Sequence, residues 1–145
     1  MVLCVANSKG GVGKTTTSLN LGAALSIAGN RVLIIDNDVQ GNLTAALGFT
    51  PAEQKSTLAK LLLAAIDSPE DVELHLPRTI LHTESGVDLI PANAKLADAA
   101  ARLQVMQLSQ YNAVGEAERP CEKVLESILA QIKDDYKTTS SSTAA

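Results

Sequence analysis

The stretch Val2–Gly22, VLCVANSKGGVGKTTTSLNLG, decides the fold. It opens with a short, unbroken apolar run, Val2–Ala6, the composition of a strand buried on both faces of a parallel sheet. Gly10, Gly11 and Gly13 follow at once, and from Thr15 to Ala28 the apolar residues Leu19, Ala23 and Ile27 recur at helical spacing, with Leu21, Ala24 and Ala28 beside them. Gly29-Asn30 supplies a helix stop. Strand, glycine loop and helix in that order make a phosphate cradle. Glycines let backbone N–H groups approach phosphate oxygens, and the helix start adds the positive end of its dipole.

The loop nearly matches the phosphate-binding pattern G-x-x-x-x-G-K-[ST]: Gly13-Lys14-Thr15 fit its end, while Ser8 stands at the first glycine position. In this reading Lys14 reaches the β- and γ-phosphates, the Thr15 hydroxyl ligates Mg²⁺, and Thr16 contacts the α-phosphate. A glycine turn that binds nothing would not require this flanking strand, helix and G-K-T-T ending. Lys9 is different, because a generic cradle does not call for a second lysine ahead of its glycines. Taken alone it reads as a solvated surface residue.

Beyond the cradle, Arg31–Asp36 (RVLIID) reads as a second buried strand, making the start of a βαβ unit. It ends in two acidic residues, Asp36 and Asp38, at the strand end where parallel α/β folds place nucleotide sites. If the strand stays extended, both carboxylates point to the same side. Capping the next helix or solvating a loop is an equally good reading of their spacing. Residues 42–65 are helical in pattern, broken at Gly48–Pro51, and 67–86 are polar and proline-punctuated, a loop with room for one short helix or strand. Val87–Ile90 reads as a third strand, Leu96–Leu108 as a helix, and Ala117–Tyr136 as another with Val124, Leu125, Ile128, Leu129 and Ile132 on one face. Residues 137–145, KTTSSSTAA, lack any apolar pattern and read as a disordered tail. The expected organisation is therefore one α/β domain over 1–136 and a tail over 137–145.

Composition agrees with a single core built from Ala, Leu, Ile and Val: 46% of the 145 residues are hydrophobic, and Phe49, Tyr111 and Tyr136 are the only aromatics. A net charge of -4 and a pI of about 5.1 argue against a broadly basic nucleic-acid surface. Cys4 and Cys121 have neither metal nor disulfide spacing and read as buried, inert thiols in a reducing cytoplasm. His75 and His82 have no third ligand nearby, so no metal site is expected of them. No apolar run approaches the ~20 residues of a membrane span.

The segment Lys9–Thr17, KGGVGKTTT, resembles the deviant Walker A motif of the ParA/MinD superfamily of ATPases. The fold so implied is a P-loop NTPase-like parallel sheet flanked by helices. The resemblance implies ATP and Mg²⁺ as ligands, with Lys9, Gly10, Gly11, Val12, Gly13, Lys14, Thr15 and Thr16 around the nucleotide. It gives Lys9 a role: two subunits sandwich ATP, and each Lys9 reaches the phosphates held by its partner, as an arginine finger does elsewhere. Asp36–Thr44, DNDVQGNLT, is similar to the D-x-D-P-Q-G-N segment of ParA-type partition ATPases, with Val39 in place of proline. That similarity implies that Asp38 orients or deprotonates the attacking water and that Asp36 holds water on the Mg²⁺ shell. Gln40-Gly41-Asn42 favours ParA over MinD, arsenical-pump ATPases or the nitrogenase iron protein, and VDLIPANAKLADAAARL extends the likeness.

The similarity runs from Met1 to Tyr136, and the family's next element, an apolar Walker B strand ending in aspartate, is replaced by KTTSSSTAA. The sheet is therefore expected to be truncated before that strand, leaving Val2–Ala6 with uncovered backbone and apolar faces. The family's nonspecific DNA contact draws on later basic residues and is not expected of this chain. The function so implied is ATP-dependent dimerisation and hydrolysis in plasmid or chromosome partition, stimulated by a ParB-like partner. Two alternatives stay open: a shortened, non-hydrolysing nucleotide-binding or interaction module, and a MinD-like ATPase, which would need an amphipathic C-terminal helix that the Ser/Thr tail does not supply.

Overall fold

In a computed structural model, the protein forms a five-stranded sheet with helices on both faces. The structure describes residues 1–114, 120–136 and 138–144, with the side chains of 1–109 and 123–136. The elements are β1 (Val2–Asn7), α1 (Lys14–Ile27), β2 (Val32–Asn37), α2 (Asn42–Ala46), α3 (Leu58–Asp67), α4 (Asp71–Thr79), β3 (Leu81–His82), β4 (Asp88–Ile90), α5 (Leu96–Val114), α6 (Pro120–Ile132) and β5 (Thr138–Ala144). Across the sheet the order is β1-β5-β2-β4-β3. All neighbours are parallel except the β3–β4 pair.

β2 is the strand its composition promised, with Val32 to Asp36 all buried. Alternate residues feed two cores, as the period of a strand requires. Leu33 and Ile35 join Ile90 beneath α3, α4, α5 and α6, where Leu61, Leu76, Ala99, Ile128 and Ile132 pack. Val32 and Ile34 join Val87 and Leu89 on the opposite face, under Leu19 and Leu25 of α1 and Leu43 of α2. The apolar stripe expected on α6 is the one used, with Ile128 and Ile132 buried and Val124, Leu125 and Leu129 beside them. Its expected start at Ala117 lies outside the described residues. In the 67–86 segment the structure forms α4 and β3. Pro77 lies in the last turn of α4, and Val72, Leu76 and Thr79 of the same helix are buried.

α1 meets the sheet through small residues. Ser18 and Gly22 are its buried positions, whereas Ile27, part of the apolar repeat that marked the helix, is 88% exposed. A Cβ on Gly22 would stand 2.6 Å from Ile34 Cδ1, so a methyl there would require the buried Ile34 side chain or the helix to shift.

Two expectations are overturned at the sheet's other end. Within the segment expected as a tail, Thr138–Ala144 is β5, hydrogen-bonded to β1 on one side and β2 on the other, while residues 137 and 145 lie outside the described residues. The position beside the glycine-loop strand is therefore filled by β5. A ladder is made by backbone N–H and C=O groups, which Ser and Thr carry as well as Val does, so an apolar pattern is not needed to pair there. β1, in turn, is an edge strand and is not buried on both faces as its composition alone suggested; its apolar faces are uncovered, as expected of a sheet truncated beside it. Val2 is 55% exposed, Leu3 and Val5 are only half-buried, and Cys4 is an exposed free thiol where a buried one was expected. The side chain of Cys121 lies outside the described residues. The connection into β5 is anchored by Tyr136, whose hydroxyl donates to Asp88 Oδ2 (2.6 Å) while the Arg31 guanidinium lies 4.8 Å over its ring. Among the described residues, no helix is long and apolar enough to cross a membrane.

Candidate functional site

The glycine loop leaves the carboxyl end of β1 and turns into α1 through two left-handed glycines, Gly11 (φ 73°) and Gly13 (φ 85°). A residue with a Cβ is strained in that region. Around Gly10, Gly11 and Gly13 the space where a Cβ would stand is open. The first bond of α1 runs from the Thr17 amide to the Gly13 carbonyl (2.8 Å), so the amides of Lys14, Thr15 and Thr16 are the orphan donors of the helix start. Because the residue capping the helix is Gly13, no side chain competes for them.

Lys14 closes the loop. Its Nζ donates to the Asn7 carbonyl (2.8 Å) and the Lys9 carbonyl (3.1 Å), which leaves one of its three donors for a ligand. The Lys9 amide donates to Asn7 Oδ1 (2.9 Å), pinning the start of the loop from the other side. The result is a cavity of about 390 Å³ lined by Gly10, Gly11, Val12, Gly13, Lys14, Thr15, Thr16, Asp38 and Asn42. A ligand phosphate chain fits the donor set: a lysine ammonium, two threonine hydroxyls and a helix N-terminus, with no bulk in the way.

The structure thus brings together seven of the residues that carry the cradle reading and adds Asp38. It leaves out two. Lys9 is exposed and does not line the cavity. Asp36 is fully buried behind the site: Oδ2 accepts from the Thr44 amide (2.8 Å) and hydroxyl (2.7 Å), and Oδ1 from the Asp38 amide (3.2 Å). The two carboxylates diverge because β2 ends at Asn37, so the extended geometry that would align them is not kept. Burial pushes the Asp36 carboxyl above the usual range, against the opposing pull of its Thr44 and Asp38 hydrogen bonds. Asp38, half-buried, accepts from the Gln40 amide through Oδ1 (3.0 Å) and from Asn42 Nδ2 through Oδ2 (2.8 Å).

Two participants escaped the sequence reading. Asn42 had a signal, four residues from Asp38 and at a helix start. Thr44 had none. Its hydroxyl donates to Asp36 and accepts from the Ala92 amide (3.0 Å), joining the end of β2 to the segment after β4 across 48 residues of chain. A larger cavity, about 670 Å³, lies between Arg31, Leu76, Ile132 and Tyr136, and no glycine-loop residue lines it. It lacks the convergent amides that make the smaller one a phosphate cradle.

A profile of the AAA domain family matches residues 1–139. The chain belongs to that family. Among its relatives, this AAA-domain chain is 44% identical over 98 residues to the chromosome partitioning protein ParA of Caulobacter vibrioides and 39% identical over 102 residues to the sporulation initiation inhibitor protein Soj of Bacillus subtilis. These alignments take in 66% and 70% of the chain but 33% and 38% of the relatives, so the chain spans little more than a third of their length. Among solved structures it is similar to cobyrinic acid a,c-diamide synthase of Mycobacterium smegmatis with a bound ATP analogue and magnesium, with a TM-score of 0.77 at 36% identity, covering 97% of this chain and 49% of that one. The ParA-type resemblance carried by KGGVGKTTT and DNDVQGNLT is thereby found over most of the chain. MinD of Pyrococcus horikoshii, at 24% identity, shares the fold.

Proposed function

We propose that this AAA-domain chain binds ATP with Mg²⁺ and works as a ParA-like partition ATPase. The observation that carries the reading is the open glycine cradle closed by Lys14 at the start of α1. In it, the amides of the α1 N-terminus and the remaining Lys14 donor hold the phosphates, and the Thr15 hydroxyl would ligate Mg²⁺; Asp36, buried and engaged by Thr44 and the Asp38 amide, would steady the end of β2 behind the metal position. The metal would spread the charge that builds on the phosphate oxygens. Asp38 takes the proton of the attacking water. The water oxygen bonds to the γ-phosphorus as the bond to the bridging oxygen of ADP breaks, leaving inorganic phosphate and ADP. Lys9 serves the nucleotide of a second copy in an ATP-sandwiched homodimer, a role its exposed position supports. A ParB-like partner would stimulate the reaction, and the setting is cytoplasmic.

Equilibrium binding of ATP·Mg²⁺ with Lys14→Ala as control tests the reading; equal affinity in the two proteins would overturn the cradle. Lys9→Ala is expected to keep monomer binding and lose ATP-dependent dimerisation in sedimentation analysis, and an intact dimer would return Lys9 to the solvated surface. A second reading, nucleotide binding without hydrolysis, is favoured by one observation: β5, Thr138–Ala144, the strand beside β1, carries no acidic side chain. ATP turnover at saturating nucleotide separates the two.

A further inference from the structure

We propose that Asn42 is the positioning residue for the Asp38 carboxylate, holding it toward the phosphate cradle; this rests on the reading of Asp38 as the base. Both side chains line the cavity that Lys14, Thr15 and Thr16 also line. Asp38 lies beyond the end of β2, in a turn closed by the Gly41 amide on the Asp38 carbonyl (2.9 Å). Its side chain is free to rotate unless something holds it, and what holds it belongs to the same turn: the Gln40 amide on Oδ1 and Asn42 Nδ2 on Oδ2. Among the described residues no cation lies within ion-pair distance of Asp38.

That arrangement suits a base. Each carboxylate oxygen accepts one neutral donor and keeps a lone pair for water, whereas an arginine or lysine partner would make the carboxylate a poor proton acceptor. Asn42 is exposed, but the backbone that carries it follows a closely packed glycine. It opens α2 directly after Gly41, which sits at φ 64°, and a Cβ there would come within 2.9 Å of Pro51 and 3.1 Å of the Ala92 carbonyl. The Asn42 amide therefore reaches Asp38 Oδ2 from the first residue of α2, directly after that glycine. A role confined to capping α2 would not need the side chain to reach back to a carboxylate in the cavity.

The test is steady-state ATP hydrolysis by the full chain with Mg²⁺, comparing wild type, Asn42→Ala, Asp38→Asn and the double variant. Asn42→Ala is expected to lower kcat about tenfold or more, the scale of a lost hydrogen bond to a charged group, with KM for ATP changed less than about threefold. In the Asp38→Asn background the same change is expected to have no further effect on kcat, because the group it positions is gone. Asn42→Ser, which keeps a short donor, is expected to recover part of kcat. An unchanged kcat in Asn42→Ala, or a full independent loss on top of Asp38→Asn, overturns the positioning role while leaving Asp38 as base. Wild-type protein that binds ATP·Mg²⁺ through Lys14 and turns none over removes the base reading, and the positioning role with it.

Discussion

Replacing Thr44 with valine tests the idea that one hydroxyl ties the strand end behind the cradle to the rest of the fold. Valine has nearly the same shape, so the packing of α2 on the sheet is kept and two hydrogen bonds are removed. One runs from the hydroxyl to Asp36 Oδ2 (2.7 Å), the other from the Ala92 amide to the hydroxyl (3.0 Å). A hydrogen bond to a charged group contributes about 1.5–3 kcal/mol, and a buried donor left unsatisfied costs about 1–3 kcal/mol. Ala92 has no exposure to fall back on. Asp36 keeps its bond from the Thr44 amide (2.8 Å), which limits the loss on that side. The expected cost is about 2–5 kcal/mol, a large share of the ~5–15 kcal/mol that holds an ordinary domain together. Thr44→Ser keeps the hydroxyl and loses one methyl, for about 1 kcal/mol. Urea unfolding at pH 7, followed by far-ultraviolet circular dichroism, measures both, and amide exchange at Ala92 reports the second bond directly. A Thr44→Val protein within about 0.5 kcal/mol of wild type, or one no worse than Thr44→Ser, would refute the reasoning.

Asp36→Asn makes a prediction with a sign. The folded-state pKa of Asp36 lies above 3.8, so between that value and the folded pKa the native state binds more protons than the unfolded one. Stability then falls as pH rises through that window, and the cost of burying the charge is fully present above it. The stability of wild type relative to Asp36→Asn, which carries no titrating group there, is therefore expected to fall as pH rises through that window; a relative wild-type stability that rises with pH in paired urea titrations contradicts this. Gly22→Ala is expected to destabilise by about 1–3 kcal/mol, since the new methyl meets Ile34 Cδ1 at 2.6 Å, and a thermal melt unchanged from wild type would mean α1 can lift off the sheet without cost.

The cradle was legible because everything it needs lies within consecutive residues. Gly11 and Gly13 at positive φ, the apolar strand before them and the helix after them are local choices, and local sequence states them. β2 and the apolar stripe of α6 were legible for a related reason: five buried residues in a row, or five on one helical face, leave few alternatives. The buried face of α1 was harder. Its strongest apolar repeat included Ile27, yet close packing selected Ser18 and Gly22, and close packing is a property of the pair of elements.

By itself, then, the sequence determined a strand–cradle–helix unit with Lys14 at its mouth and two acidic residues after the next strand. Only the tertiary structure decided what surrounds them. It set Thr138–Ala144 between β1 and β2, left β1 at the edge with Cys4 exposed, buried Asp36 behind Thr44, and turned Asp38 into the cavity beside Asn42. These outcomes depend on backbone pairing and on contacts between residues far apart in the chain. A ladder hydrogen bond is the same whichever side chain flanks it, so no pattern of side chains along the chain could have announced where the last strand would lie.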